Sequence, residues 1–203
     1  MKIIKLVVTG GPCAGKTTAL AHIKQRAQEH GYLVLTVAET ATELISGGAA
    51  PWTCDTNARY QSFQIALQMA KEEVFLAAAA TMSSSRICIL LDRGLMDNRA
   101  YMTEEEFSAC LRARGEKKED YLARYDAVFH LVTTARGAEK HYTTQNNAAR
   151  TETPAEARAV DDALLAAWGE HPRRYIIGND GDFAEKMQRL RAHLDEFLCE
   201  VEK

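Results

Sequence analysis

No apolar run in the 203 residues approaches the roughly 18 consecutive positions that a membrane-spanning helix needs. The apolar start, MKIIKLVVT, is too short for a secretory signal and runs into a glycine-rich motif instead of a cleavage site. Cysteine is scarce and lacks pattern. Cys13, Cys54, Cys88, Cys110 and Cys199 are odd in number with no C-x-x-C pair, which excludes a zinc signature and a disulfide framework. Reduced thiols and the missing leader point to a soluble cytoplasmic protein. An excess of positive charge is also missing: 25 Lys+Arg stand against 28 Asp+Glu, a net charge of −3, so nucleic acid is not an expected partner. His141 and His171 have no companions at ligand spacing, and no transition-metal site is expected. Repeats, low-complexity tracts and Pro/Gly linkers are absent, so residues 1–203 read as one domain.

Against these absences stands a regular alternation of strand and helix signals. A β-branched apolar run at Ile3–Val8 and apolar runs at Tyr32–Ala38, Arg86–Leu91, Ala127–Val132 and Arg174–Ile177 read as five strands. Between them lie helical segments at Lys16–His30 and Asn57–Met82, and helices opened by Thr103/Glu106, Thr153-Pro154/Glu156 and Asp182/Glu185. The spacing predicts core stripes at Phe63, Leu67, Ala70, Val74 and Ala77 on the long helix, and from Phe183 through Met187 to Val201 on the last. The Ala-rich face at Ala66, Ala70 and Ala77 is read as core, with a homodimer seam as the alternative. The fold expected is α/β, a doubly wound parallel sheet.

Gly10-Gly11-Pro12-Cys13-Ala14-Gly15-Lys16-Thr17 fits G-x-x-x-x-G-K-[ST] and sits directly between a strand and a helix. Glycines let successive N–H groups face one concavity, and the helix N-terminus adds partial positive charge. The nucleotide-binding residues expected are Gly10 through Thr18 (Gly10, Gly11, Pro12, Cys13, Ala14, Gly15, Lys16, Thr17, Thr18), with Asn179 at a strand end. Lys16 is assigned to the β- and γ-phosphates of ATP or GTP, and the Thr17 hydroxyl to Mg²⁺. Cys13 is read as a small residue that fits the loop, with a redox switch as the alternative.

Ligands of open α/β sheets bind beyond the carboxyl ends of the strands. Asp92 there would hold Mg²⁺, directly or through water, or orient an acceptor hydroxyl. Arg93 would clamp transferring phosphate, or else pair within the fold. Glu39 is a candidate general base or hydroxyl ligand, or else an acid favoured by a helix N-terminus. The polar stretch 133–152 reads as part of a lid over about 134–158, bringing Arg150 and Arg158 to the phosphates; Lys140 and Arg136 lie further up it. The alternative is a solvated helix start with Arg158 paired to Asp162.

The segments VVTGGPCAGKTTAL, AETATELI, LLDRGLMDNRAYM, RYDAVFHL, ETPAEAR and GNDGDFAEK together resemble a P-loop ATPase/kinase domain family. That family is shared by the ribosylnicotinamide-kinase half of the bacterial NAD regulator and an animal protein of TRP-channel trafficking. The resemblance implies a nucleoside-kinase-like core of strand order 2-3-1-4-5, Mg-nucleotide binding and an arginine-bearing lid. From related deoxynucleoside kinases it also implies that Glu39, Asp92 and Arg93 meet the acceptor. The chain starts at its first strand and ends after its last helix, so neither relative's flanking domains, substrate nor partner is carried over.

A kinase using ATP or GTP on a nucleoside-like or other small hydroxylated acceptor is therefore the leading expectation. The rival is a nucleotide-dependent switch with slow hydrolysis. Asp92-Arg93-Gly94 is not D-x-x-G and no N/T-K-x-D occurs, which argues against a Ras-like switch. The length leaves no room for the helical lid domain of an AAA+ motor, and a nucleic-acid kinase conflicts with the acidic balance.

Overall fold

The computed structural model describes residues 1–138 and 153–202. Five parallel strands, β1 (Lys2–Thr9), β2 (Leu33–Val37), β3 (Arg86–Asp92), β4 (Ala127–Leu131) and β5 (Arg174–Ile177), form one sheet in the order 2-3-1-4-5. The central strands are apolar on both faces because helices cover both. On one face Ile4, Leu6 and Val8 pack with Ile23 of α1 (Lys16–Glu29) and with Leu190, Leu194 and Phe197 of α7 (Phe183–Val201). On the other, Val7, Ile87, Ile89 and Leu91 pack with Ile65 of α3 (Asn57–Ala80), Phe107 of α4 (Glu104–Arg114), Tyr121 of α5 (Lys118–Leu122) and Trp168 after α6 (Pro154–Ala167). Period-2 alternation along β1 thus builds two cores, and the molecule is a three-layer α/β domain of the P-loop NTPase fold.

The expected capping boxes of α4, α6 and α7 are all formed, with Thr103, Thr153 and Asp182 at the caps. Three short elements carry weaker signals: α2 (Thr40–Ser46), α5 and a 3-10 helix (Leu95–Tyr101). Each is under two turns or tighter than α, so no apolar period develops. Among the described residues no helix is long and apolar enough to cross a membrane.

The long helix turns the opposite face inward from the one expected. Phe63 and Val74 are 47% and 65% exposed, and Ala66, Ala70 and Ala77 are exposed with them. Buried instead are Tyr60, Gln61, Gln64, Ile65, Gln68 and Glu72. The reason is polar satisfaction. Glu72 is buried against Lys5 (2.7 Å), Arg124 (3.3 Å) and the Tyr125 hydroxyl (2.7 Å). Gln68 Nε2 donates to the Arg93 carbonyl at 3.2 Å. A buried charge is stable only when fully paired, and this network fixes the helix's rotation where an apolar count cannot. Phe183, placed on the core stripe of α7, is likewise 47% exposed; it lies at the helix's first residue, over Gly15.

Candidate functional site: a phosphate loop flanked by an acid–arginine cluster

The phosphate loop begins where β1 ends. Gly10 has φ +136°, and a Cβ there would stand 2.1 Å from the Leu131 carbonyl oxygen. Backbone and packing each demand glycine. Gly10→Ala is therefore expected to lose roughly 2–5 kcal/mol of stability, from left-handed strain plus overpacking. A thermal melt of the variant within a degree or two of the parent would contradict this geometry.

Further along, Cys13 (φ 56°) and Gly15 (φ 90°) are left-handed, which turns successive peptide N–H groups toward one side. Gly15 caps α1 with no side-chain hydrogen bond, and the first turn holds no acidic residue. In contrast with the capping boxes of α4, α6 and α7, this terminus carries no side-chain cap, and its dipole favours an anion. Lys16 Nζ donates to the carbonyls of Gly10 (2.9 Å) and Gly11 (3.1 Å), folded over the loop it would share with phosphate. Thr17 and Thr18 follow in the first turn with exposed side chains.

Beside β1, strand β3 delivers Asp92 in register with Val8. Arg93 follows at φ 72°, one of only two non-glycine residues with positive φ among those described; the other is Cys13. Both lie in the site, where held strain marks positions the surroundings over-determine. The twist aims Arg93 Nε at Glu39 Oε1, 2.5 Å away, with Asp97 Oδ1 4.0 Å from the guanidinium. Glu39 stands at the N-cap of α2 and also accepts from the Thr42 hydroxyl at 2.6 Å. Burial works to raise its carboxyl, but Arg93, Thr42 and Lys16 hold it down at about 2. Asp92 moves the other way: burial and then the Glu39 charge raise it, against Arg93 and Lys16. Neighbouring carboxyls pushed apart in this way are suited to different tasks.

The fit to a divalent cation turns on Asp92. Its Oδ1 is buried with no hydrogen-bond partner, an arrangement that a hard cation satisfies. With the Thr17 hydroxyl on the adjoining helix turn, these residues fit Mg²⁺.

Several residues of the site carry no sequence motif. Asp97 is buried, receives the Thr9 hydroxyl and accepts the Gly94 N–H at 2.6 Å, tying the Asp92–Gly94 turn to β1. Its i+4 spacing from Arg93 was its only signal. The buried face of α3 brings Tyr60 and Gln61 alongside, both with an unpartnered side-chain oxygen. Burial and then the Glu39 charge push the Tyr60 hydroxyl up to about 12. Lys186, buried on α7, donates to the carbonyls of Ala14 (3.0 Å) and Val132 (2.7 Å) and to Asn179 Oδ1 (2.7 Å). Burial lowers it to about 8, with the Asp161 charge opposing. A lysine inside an apolar helix stripe was the legible hint.

Asn179 does not stand open at its strand end. Its amide nitrogen donates to Thr133 O and Arg136 O, each at 2.7 Å, so it ties the β4 and β5 exits together. Arg158 donates to the Ala135 carbonyl at 2.9 Å, while Asp162 pairs with Arg136 at 2.6 Å and not with Arg158. The i, i+4 pairing gives way because the chain after β4 passes above the helix start. Residues 139–152, with Lys140, His141 and Arg150, lie outside the described residues.

A glycine-rich loop between a parallel strand and an uncapped helix, with a lysine over it and an acid on the next strand, defines a P-loop nucleotide-binding protein. A family model described as "AAA domain" matches residues 5–186, and the chain belongs to that family. No curated protein matches the chain. Family and loop together make this a domain that binds nucleoside triphosphate.

Proposed function

We propose that the protein is a kinase that moves the γ-phosphoryl group of ATP or GTP to a nucleoside-like or other small hydroxylated acceptor. The observation that carries this reading is the Glu39–Arg93 pair, 2.5 Å apart beside Asp92. Nucleotide hydrolysis needs only water, whereas an ionised carboxylate two strands from the phosphate loop suits a second substrate. Tyr60 and Gln61, buried alongside with unpartnered oxygens, supply polar groups for one.

Phosphoryl transfer proceeds through a loose transition state, so catalysis is mainly positioning and charge stabilisation. Lys16 would leave its two loop carbonyls for the β- and γ-phosphates. Mg²⁺, held by Thr17 and Asp92, would supply neutralising charge at the phosphates. Arg93 would turn from Glu39 to the transferring group, and Arg158 would add charge from the α6 side. Held at about 2 by Arg93, Glu39 is a poor proton acceptor but a strong hydrogen-bond acceptor. It would orient the hydroxyl first and take its proton once Arg93 has moved to phosphate.

The test is a screen of nucleosides, sugars and vitamins with Mg-ATP and Mg-GTP, read as acceptor-dependent release of ADP or GDP. Stimulation by at least one acceptor class is expected. Slow hydrolysis that no acceptor stimulates, together with nucleotide-controlled binding of a protein, would replace the kinase with a switch.

A further inference from the structure

Outside the motif, three side chains bond the phosphate loop, Lys186, Thr133 and Asp161, and the last of them, on α6, is the carboxylate. It is completely buried, a position that an ionised carboxylate holds only with several good donors. Three converge on it. Oδ1 accepts the Gly11 N–H at 2.8 Å and lies 3.0 Å from His130 Nε2, while Oδ2 accepts the Thr133 N–H at 3.3 Å. Those bonds hold the carboxyl below its ordinary value although burial opposes them. His130 Nδ1 is buried without a partner. The tautomer with its proton on Nε2 donates that proton to Oδ1 and leaves no N–H stranded at Nδ1.

Gly11 occupies a motif position at which the pattern tolerates any residue. Here a Cβ would stand 2.9 Å from Asp161 Oδ1, 3.0 Å from its Cβ and 3.1 Å from the Thr133 Cβ. Asp161 and Thr133 close over the loop so tightly that only glycine fits. The Thr133 hydroxyl donates to the next carbonyl, Pro12 O, at 2.5 Å. Just beyond the far end of α6, Trp168 packs on Gly94, where a Cβ would meet the indole at 2.7 Å. One helix therefore touches both the phosphate loop and the turn that carries Asp92 and Arg93.

We propose that Asp161 is a positioning residue for nucleotide: through the Gly11 N–H it anchors the entering limb of the phosphate loop to α6. The amides from Cys13 to Thr17 are then aligned before nucleotide arrives, and α6 is the strut that holds them in register with the Asp92–Gly94 turn. The proposal rests on nucleotide binding and is independent of any acceptor.

Asp161→Asn keeps the shape but turns an NH₂ toward one of three N–H donors. Titration calorimetry with Mg-ATP and Mg-GTP, on protein shown folded by circular dichroism, should give a Kd raised about tenfold or more. Gly11→Ala, which pushes the carboxylate away, should weaken binding by a similar factor. The double variant should be no weaker than the worse single one, because both changes break the same contact. Asp162→Asn, at the exposed neighbour, should bind as the parent does. A Kd within twofold of the parent for Asp161→Asn, even with a lowered melting temperature, would reduce Asp161 to a stability role and overturn the proposal. Losses that multiply in the double variant would overturn it too. Should Asp161→Asn not fold, unchanged affinity in Gly11→Ala decides against it.

Discussion

Lys16→Ala is expected to abolish productive nucleotide binding and leave the fold intact. Lys16 Nζ bonds the Gly10 and Gly11 carbonyls, and its side chain is only partly buried. The loop is independently secured by Lys186 on Ala14, Thr133 on Pro12 and Asp161 on Gly11. Removing Lys16 thus removes a charge meant for phosphate and little packing. A positioned cation on a polyphosphate in a low-dielectric site contributes several kcal/mol, so affinity for Mg-ATP and Mg-GTP should fall by about 10³-fold or below detection. The melting temperature should move by only a few degrees. Calorimetric titration and a thermal melt read the two effects separately. Unchanged affinity and turnover would refute the assignment of Lys16 to phosphate, and collapse of the fold would make it a structural lysine.

The second large effect is expected from Glu39→Gln. Glutamine keeps the shape and can still accept from Thr42, but loses the charge that faces Arg93. Nucleotide affinity should stay within about threefold, because Glu39 lies on β2's exit and not on the loop. Transfer to the true acceptor should fall by about 10²–10⁴-fold, the range for a positioned acid or base. A pH signature accompanies it. The Glu39 carboxyl is depressed from 4.5 to about 2, so the folded state binds fewer protons than the unfolded chain between those values. Its stabilisation is complete above pH 4.5 and is lost as pH falls toward 2. Melting temperatures of the parent should therefore drop more steeply over that window than those of Glu39→Gln. If the variant retains full acceptor-dependent turnover, Glu39 is only the N-cap residue of α2 and has no part in orienting the acceptor.

The site was legible in unequal parts. The loop from Gly10 to Thr18 follows from spacing, since a tight turn needs glycine at fixed offsets whatever surrounds it. Asp92 follows from its place after a buried strand. Glu39 and Arg93 each stand out singly as strand-end residues, and pairing inside the fold is among the alternatives for Arg93. Their 2.5 Å contact depends on a left-handed backbone at Arg93, which no local pattern announces. Asp97, Asp161 and Lys186 carry no motif because their partners lie far off in sequence. Asp161 reaches across 150 positions to Gly11, and Lys186 across 172 to Ala14.

Local sequence determined by itself the elements whose signals are short-ranged. These are the strands, the capping boxes at Thr103, Thr153 and Asp182, and the glycine loop that joins β1 to α1. All of them rest on spacings of a few residues, where backbone hydrogen bonds and turn sterics act. The tertiary structure decided what depends on burying charge. It rotated α3 so that Gln68 and Glu72 face inward and Phe63 and Val74 face out, although the apolar count favoured the reverse. It also placed Asp161 and Lys186 against the loop. A buried carboxylate or ammonium is tolerated only where several partners converge, and that convergence is produced when the sheet and its helices assemble.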